Sequence, residues 1–139
     1  MNRLTLLSLT MIFQITTVAA NAQNSPTASY LELHKKELAA TSYADLLQLR
    51  SKTSIAHDKP MSKEEMNFIF PLFKASLPKN ITVTNEQVNG TSAILKAKAK
   101  PDTTNPNTTE TTIGEIELTL ENGQWKIEHE KWDSKIVMK

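Results

Sequence analysis

Apolar and polar residues alternate through the second half of the chain and recur at roughly helical spacing in the first half. Ile81-Thr82-Val83-Thr84 alternates, and Val88 carries that run to Asn89-Gly90. An Asn-Gly pair between alternating runs predicts a tight hairpin. The return run sets Ala93, Leu95, Ala97 and Ala99 on one face and Lys96, Lys98 and Lys100 on the other. A third run places Ile116, Leu118 and Leu120 inward with Glu115, Glu117 and Thr119 outward. Asn122-Gly123 turns a second hairpin, after which Trp125 and Ile127 face in, with Lys126, Glu128 and Glu130 out. Trp132 breaks this parity, which predicts a bulge or the end of the strand. Pro101 to Thr111 reads as a loop, and Ile136 to Met138 as a short apolar tail.

The first half predicts helices. One spans about Thr27 to Ala40, with Tyr30, Leu31, Leu38 and Ala39 roughly on one face, Leu33 and His34 between them, and Lys35, Lys36 and Glu37 toward solvent. Ser42 caps a second helix, with Asp45 at its third position, running to about Lys52. Thr53 to Pro60 reads as a loop. Ser62 and Glu65 form a capping box for a third helix, and Met61 and Met66 are placed as a hydrophobic staple. That helix is very apolar (Met66, Phe68, Ile69, Phe70, Leu72, Phe73, Leu77), with Pro71 expected to kink or divide it and Pro78 to end it. Helices followed by an antiparallel meander predict an α+β fold. N-terminal helices should pack on one face of a curved four-stranded antiparallel sheet, with the third helix as the cover because nothing else is as greasy.

The extreme N-terminus alters the picture of where the domain works. Arg3, the apolar stretch Leu4 to Phe13, and Ala20-Asn21-Ala22 match a secretory signal peptide cut before Gln23. Residues 23–28 then form a linker, 29–133 a single domain and 134–139 a tail. The expected location is periplasmic or extracellular, with no membrane anchor once the signal is removed. The stretch is short for a membrane span of about 20 apolar residues, and an uncleaved anchor is the alternative. With no cysteine in the chain, a lipoprotein anchor, thiolate metal sites and cysteine nucleophiles are all excluded. Beyond Ala22 the basic and acidic residues number fifteen each, so no net field favours nucleic acid.

The order of elements, with "ITVTNEQVNGTSAILKAKAK", "GEIELTLENGQWKIEHEKW" and above all the Asn122-Gly123-Gln124-Trp125-Lys126-Ile127 hairpin followed by Trp132, resembles small exported bacterial domains of the nuclear-transport-factor-2-like superfamily. The resemblance covers about Tyr30 to Trp132. It implies a cone, in which a curved sheet wraps a helix and often leaves a pocket at its open end. Members include isomerase- and dehydratase-type enzymes as well as plain binding modules. Tyr30, Tyr43, Asp45 and Asp58 are residue types that the enzymes use, but none lies in a recognisable catalytic motif, so no catalytic role is carried over.

Three residues are ligand-binding candidates: His129, Trp125 and Tyr30. A two-residue turn at Asn122-Gly123 puts Ile116 opposite His129, which then points into the cone as a ligand or base, or rests at the rim on a carbonyl. The same register opposes Glu117 to Glu128 and Glu115 to Glu130, an unfavourable pairing that the Lys96–Lys100 strand should relieve; a bound calcium is the alternative. His34 reads as a helix flank, and His57-Asp58 as a turn. No metal or cofactor is expected. Asn80, Asn89 and Asn107 head glycosylation sequons that matter only in a eukaryotic host. The function reading is a non-enzymatic exported binding module for a protein partner or small ligand. The alternatives are an acid-base enzyme of the cone type and an immunity or inhibitor protein. A homodimer through the outer sheet face, Lys96 to Lys100 against Glu128 and Glu130, is also expected.

Overall fold

The computed structural model describes residues 24–101 and 105–139. The expected signal peptide and cleavage site lie outside the described residues, as does part of the loop after Pro101. The elements run α1 (Pro26–Ala39), α2 (Tyr43–Leu47), α3 (Lys52–His57), α4 (Lys63–Ser76), β1 (Ile81–Asn89), β2 (Ser92–Ala99), β3 (Thr108–Glu121) and β4 (Gln124–Met138). The strands form one antiparallel sheet in the order β1-β2-β3-β4. The architecture is therefore α+β, with helices on one face of a four-stranded meander. No helix among the described residues is long and apolar enough to cross a membrane.

Local chemistry sets the boundaries. Ser42 accepts from the Asp45 amide while the Asp45 carboxylate accepts from the Ser42 amide; Ser62 and Glu65 do the same for α4. Each box satisfies two amides that a helix start otherwise leaves unbonded. The second helix ends early, at Leu47. The chain then extends so that Ile127 N–H donates to Leu49 O (3.0 Å) and Ser51 N–H to Ile127 O (2.9 Å). Ser51 caps α3, a helix where a loop was expected, with its hydroxyl accepting from the Ser54 amide. Pro71 stays inside a continuous α4 and does not divide it. At the second hairpin Asn122 and Gly123 both take positive φ, 50° and 76°, as a type I′ turn requires. The first hairpin closes through Gly90-Thr91, with Gly90 at φ 62° and Asn89 still in the strand. β4 continues to Met138 and takes in the residues expected as a tail.

Ala93, Leu95, Ala97, Ile116, Leu118, Trp125 and Ile127 line the core as the alternation predicts. The cover differs from expectation. Tyr30 and Leu33 of α1 complete the core with Leu49, whereas α4 buries no residue. Phe68 is 72% exposed and Leu72 59%. The segment Met66 to Leu77 therefore does not clamp the sheet. Its half-buried side, Met66, Phe70, Phe73 and Lys74, leans toward the other helices, and the Lys74 ammonium donates to the Glu37 and Leu38 carbonyls at the end of α1. The reason is space. α1 already fills the concave face, so α4, the most apolar helix among the described residues, rests against the other helices.

Trp132 lies directly opposite Gly114 across the β3–β4 pair. A Cβ on Gly114 would meet Trp132 Cε3 and Cζ3 at 2.6 Å. The indole uses the missing side chain as its seat, as aromatic rings do over strand glycines. Gly114→Ala is expected to cost about 1–3 kcal/mol through overpacking. Urea denaturation measures it, and an unchanged midpoint would mean the ring does not rest there.

Candidate functional site

The site follows from one irregularity. The β3–β4 register shifts between Glu117 and Leu118, so that Leu118 pairs with Ile127 but Glu117 pairs with His129 and Ile116 with Glu130. Glu128 is the extra residue, and beyond it the inward parity of β4 passes from odd to even positions. His129 is therefore exposed on the outer face. The expectation that it points into the cone is corrected, since a two-residue turn fixes the register only as far as the bulge. The expected Glu117–Glu128 and Glu115–Glu130 confrontations do not occur either. Glu115 faces Lys131 on one side and Lys96 on the other, and Glu117 faces His129. Like charges directly opposed are unfavourable, and the bulge removes both such pairs.

Glu128 has its own bonds. Its carboxylate accepts from the hydroxyls of Ser51, Thr53 (2.7 Å) and Thr119 (3.0 Å). Burial pushes its carboxyl upward, but these hydroxyls and the nearby His57 outweigh that and hold it below the usual range. The acids expected to form an outer-face dimer contact are thus engaged elsewhere: Glu128 by α3, and Glu130 in the interior.

Glu130 turns inward to meet α1. Tyr30, Leu33, His34 and Glu37 occupy the buried stripe of that helix at i, i+3, i+4 and i+7. The Tyr30 hydroxyl donates to Glu130 Oε1 at 2.9 Å, and Trp132 Nε1–H donates to the same oxygen at 2.6 Å. His34 Nε2 lies 2.7 Å from the Pro78 carbonyl, which can only accept, so that nitrogen carries the proton. His34 Nδ1 lies 3.3 Å from Glu37 Oε2. Ligand-type atoms of His34, Glu37 and Glu130 all fall within 4.8 Å of one another. Glu130 Oε2 is buried without a hydrogen-bond partner.

Burial first, and then the charge and contact of Glu130, push the Glu37 carboxyl up to about 7, although its hydrogen bond to His34 pulls the other way. Protonation of Glu37 relieves the repulsion between it and the neighbouring carboxyl, the usual resolution for close acids. Burial opposes protonation of His34, but the bonds to Glu37 and Pro78 and the two carboxylates outweigh it and raise its pKa. Burial, with Glu130 beside it, holds the Tyr30 phenol far above its ordinary value. One histidine and two carboxylates are a chemically sensible metal set. A metal there would have to displace the His34–Glu37 contact.

The three candidates do not share a site. Tyr30 is fully buried inside the polar cluster. Trp125 is 8% exposed and helps to wall a shallow groove of about 640 Å³ with Leu33, Leu49 and Gln124. His129 is on the opposite face. A groove of about 880 Å³ runs between α1 and β1 over Leu31, Leu38 and Ile81, with Lys79 and Lys100 at its sides. His34 reaches it, but Tyr30, Glu37 and Glu130 are not among its walls. The sequence reading left Glu37 in solvent and Glu130 outside. The available signals were the i, i+4, i+7 spacing of Tyr30, His34 and Glu37 and the broken parity at Trp132.

Among solved structures the chain is similar to an NTF2-like protein of unknown function from Shewanella baltica, with a TM-score of 0.47 and 8% identity over 78% of this chain and 92% of that one. The α+β architecture stands here on the elements and register described above. No family model and no curated protein match the chain.

The cluster fixes a pH dependence. The Glu37 and His34 pKa values are both raised in the fold, so their contribution is full at low pH and is lost as pH rises through the folded values. Stability should fall between about pH 4.5 and 7 by up to about 3 kcal/mol from Glu37. Glu37→Gln should flatten that limb. Chemical denaturation across this range tests it, and a wild-type curve rising with pH in the same window would contradict it.

Proposed function

We propose that the domain is an exported, non-enzymatic binding module that docks α4 into an apolar groove on a protein partner. The observation that carries this reading is the placement of α4. Phe68, Leu72 and Ala75 lie at i, i+4 and i+7 on its outer side, while Met66, Phe70 and Phe73 serve its inner side. A helix that is apolar all round is normally covered on every side. Large apolar side chains held outward at this spacing are how an amphipathic helix anchors in a partner's groove. Ile69, 38% exposed, widens the stripe.

The closed interior supports a binding role over a catalytic one. An acid-base enzyme needs substrate to reach its titratable groups. Tyr30 and Glu37, 0% and 2% exposed, are engaged with one another's neighbours, and the adjoining groove touches only His34. The raised Glu37 pKa is the feature that favours the enzyme reading, and it has an ordinary cause in the burial of Glu37 beside a second carboxyl.

Replacing both anchors, Phe68→Ser with Leu72→Ser, is expected to move the unfolding free energy by less than about 1 kcal/mol, as exposed positions do. A partner that co-purifies with the wild-type protein from its own compartment should be lost. Severe destabilisation, or capture of the same partner by the double variant, would defeat the proposal. Export has a separate test. The intact mass of the protein recovered from outside the cytoplasm should correspond to a chain beginning at Gln23, and recovery of the uncut chain would refute cleavage.

A further inference from the structure

We propose that the outer edge of β4 is a self-recognition surface through which two copies join their sheets, antiparallel about a two-fold axis at Ser134. β4 is an edge strand of fifteen residues. Its first half is covered, because Leu49 and Ser51 bond to Ile127. Among the described residues nothing bridges its edge beyond Ile127, and this half carries exposed apolar residues: Ile136 at 65%, Val137 at 49% and Met138 at 82%. A long edge with exposed apolar side chains is a template for another strand.

One register of this edge with itself joins opposite charges and apolar partners and leaves the bonded first half of β4 untouched. Opposed residues in an antiparallel pair share a face, so any two-fold register must centre on a residue and preserve parity. Centred on Ser134, Asp133 meets Lys135 of the second copy, and Lys135 meets Asp133, on the outer face. On the inner face Trp132 meets Ile136 twice, an aromatic against a β-branched residue. Both kinds of pair are favourable across strands. The neighbouring registers fail on charge. A centre at Asp133 opposes Lys131 to Lys135 and Asp133 to itself, and a centre at Lys135 opposes Lys135 to itself. A centre at Trp132 opposes Lys131 to Asp133 twice but carries Val137 onto Ile127, whose edge groups are already bonded. A centre at Ile136 keeps an Asp133–Lys139 pair but leaves Trp132 without a partner. Asp133 now rests 3.2 Å from Lys131, with both side chains about two-thirds exposed, so it is free to turn to the second copy.

The shape agrees with the charges. Beyond the bulge, β3 and β4 extend past the cover of α1 as a ribbon whose inner face holds Trp132, Ser134, Ile136 and Met138. Pairing two such ribbons builds an eight-stranded sheet and shields these residues at the seam. This is independent of the α4 proposal, since α4 and the β4 edge share no residues.

Sedimentation velocity of the purified protein over a concentration series tests it. The wild-type protein should show a reversible monomer–dimer equilibrium. Asp133→Lys and Lys135→Asp should each weaken the dimer by about tenfold, because each turns two attractive pairs into repulsive ones. The double variant D133K/K135D should restore it. The chain has no cysteine, so Ser134→Cys supplies a single thiol at the axis. It should form an intermolecular disulfide under mild oxidation, whereas Thr82→Cys on the opposite edge strand should not. A protein that is monomeric throughout, a dimer indifferent to the charge variants, a swap that fails to rescue, or equal cross-linking at both positions would each overturn the proposal. The charge variants are exposed, and far-UV circular dichroism verifies that they fold.

Discussion

The hydrogen bond from the Tyr30 hydroxyl to the half-buried Glu130 is the contact on which the arrangement turns. It ties the first helix to the last strand, 100 residues apart. A carboxylate can be taken into an apolar core only if its charge is met by donors. Tyr30 and Trp132 supply two on one oxygen, and the Glu37 carboxyl lies close by with its pKa raised. The cluster therefore selects α1 as the helix that enters the sheet's concave face. The consequences run outward from there: α1 fills the space, the Leu49–Ser51 segment and α3 lie along the start of β4, and α4 remains on the outside.

The bulge at Glu128 makes this contact available. Without it, Glu130 would point to solvent opposite Glu115, and His129 would enter the core. The extra residue reverses parity at the point where the core ends, and it is held by the Ser51, Thr53 and Thr119 hydroxyls on Glu128. Those hydroxyls come from the start of α3 and from β3, which couples the irregular segment after α2 to the turn of parity in β4. One inserted residue thus decides both the interior chemistry and the charge pattern of the outer face.

Much of this was legible in the chain. The capping boxes at Ser42 and Ser62, the Asn122-Gly123 turn and the inward sets on β2 and β3 each follow from short-range rules, and each is present. The choice of covering helix was not legible. Hydropathy registers what gains from burial, and Phe68, Ile69 and Leu72 gain most. It does not register that Tyr30, His34 and Glu37 can be buried together once Glu130 is placed among them. That placement depends on a bulge whose sole trace in the sequence is the even position of Trp132 after the odd positions of Trp125 and Ile127. A polar cluster assembled from two distant segments has no local pattern, so the same blindness hid the site.

Native-state hydrogen exchange, resolved by residue, tests most directly the claim that α1 and not α4 is the structural partner of the sheet. Amides in the middle of α1, around Leu33 and His34, should exchange only through global unfolding, with the same free energy as those of Leu95 and Leu118. Amides of α4 around Phe70 should open locally and exchange at a distinctly lower free energy. Equal protection of α4 and the sheet, with α1 the first to open, would contradict the account.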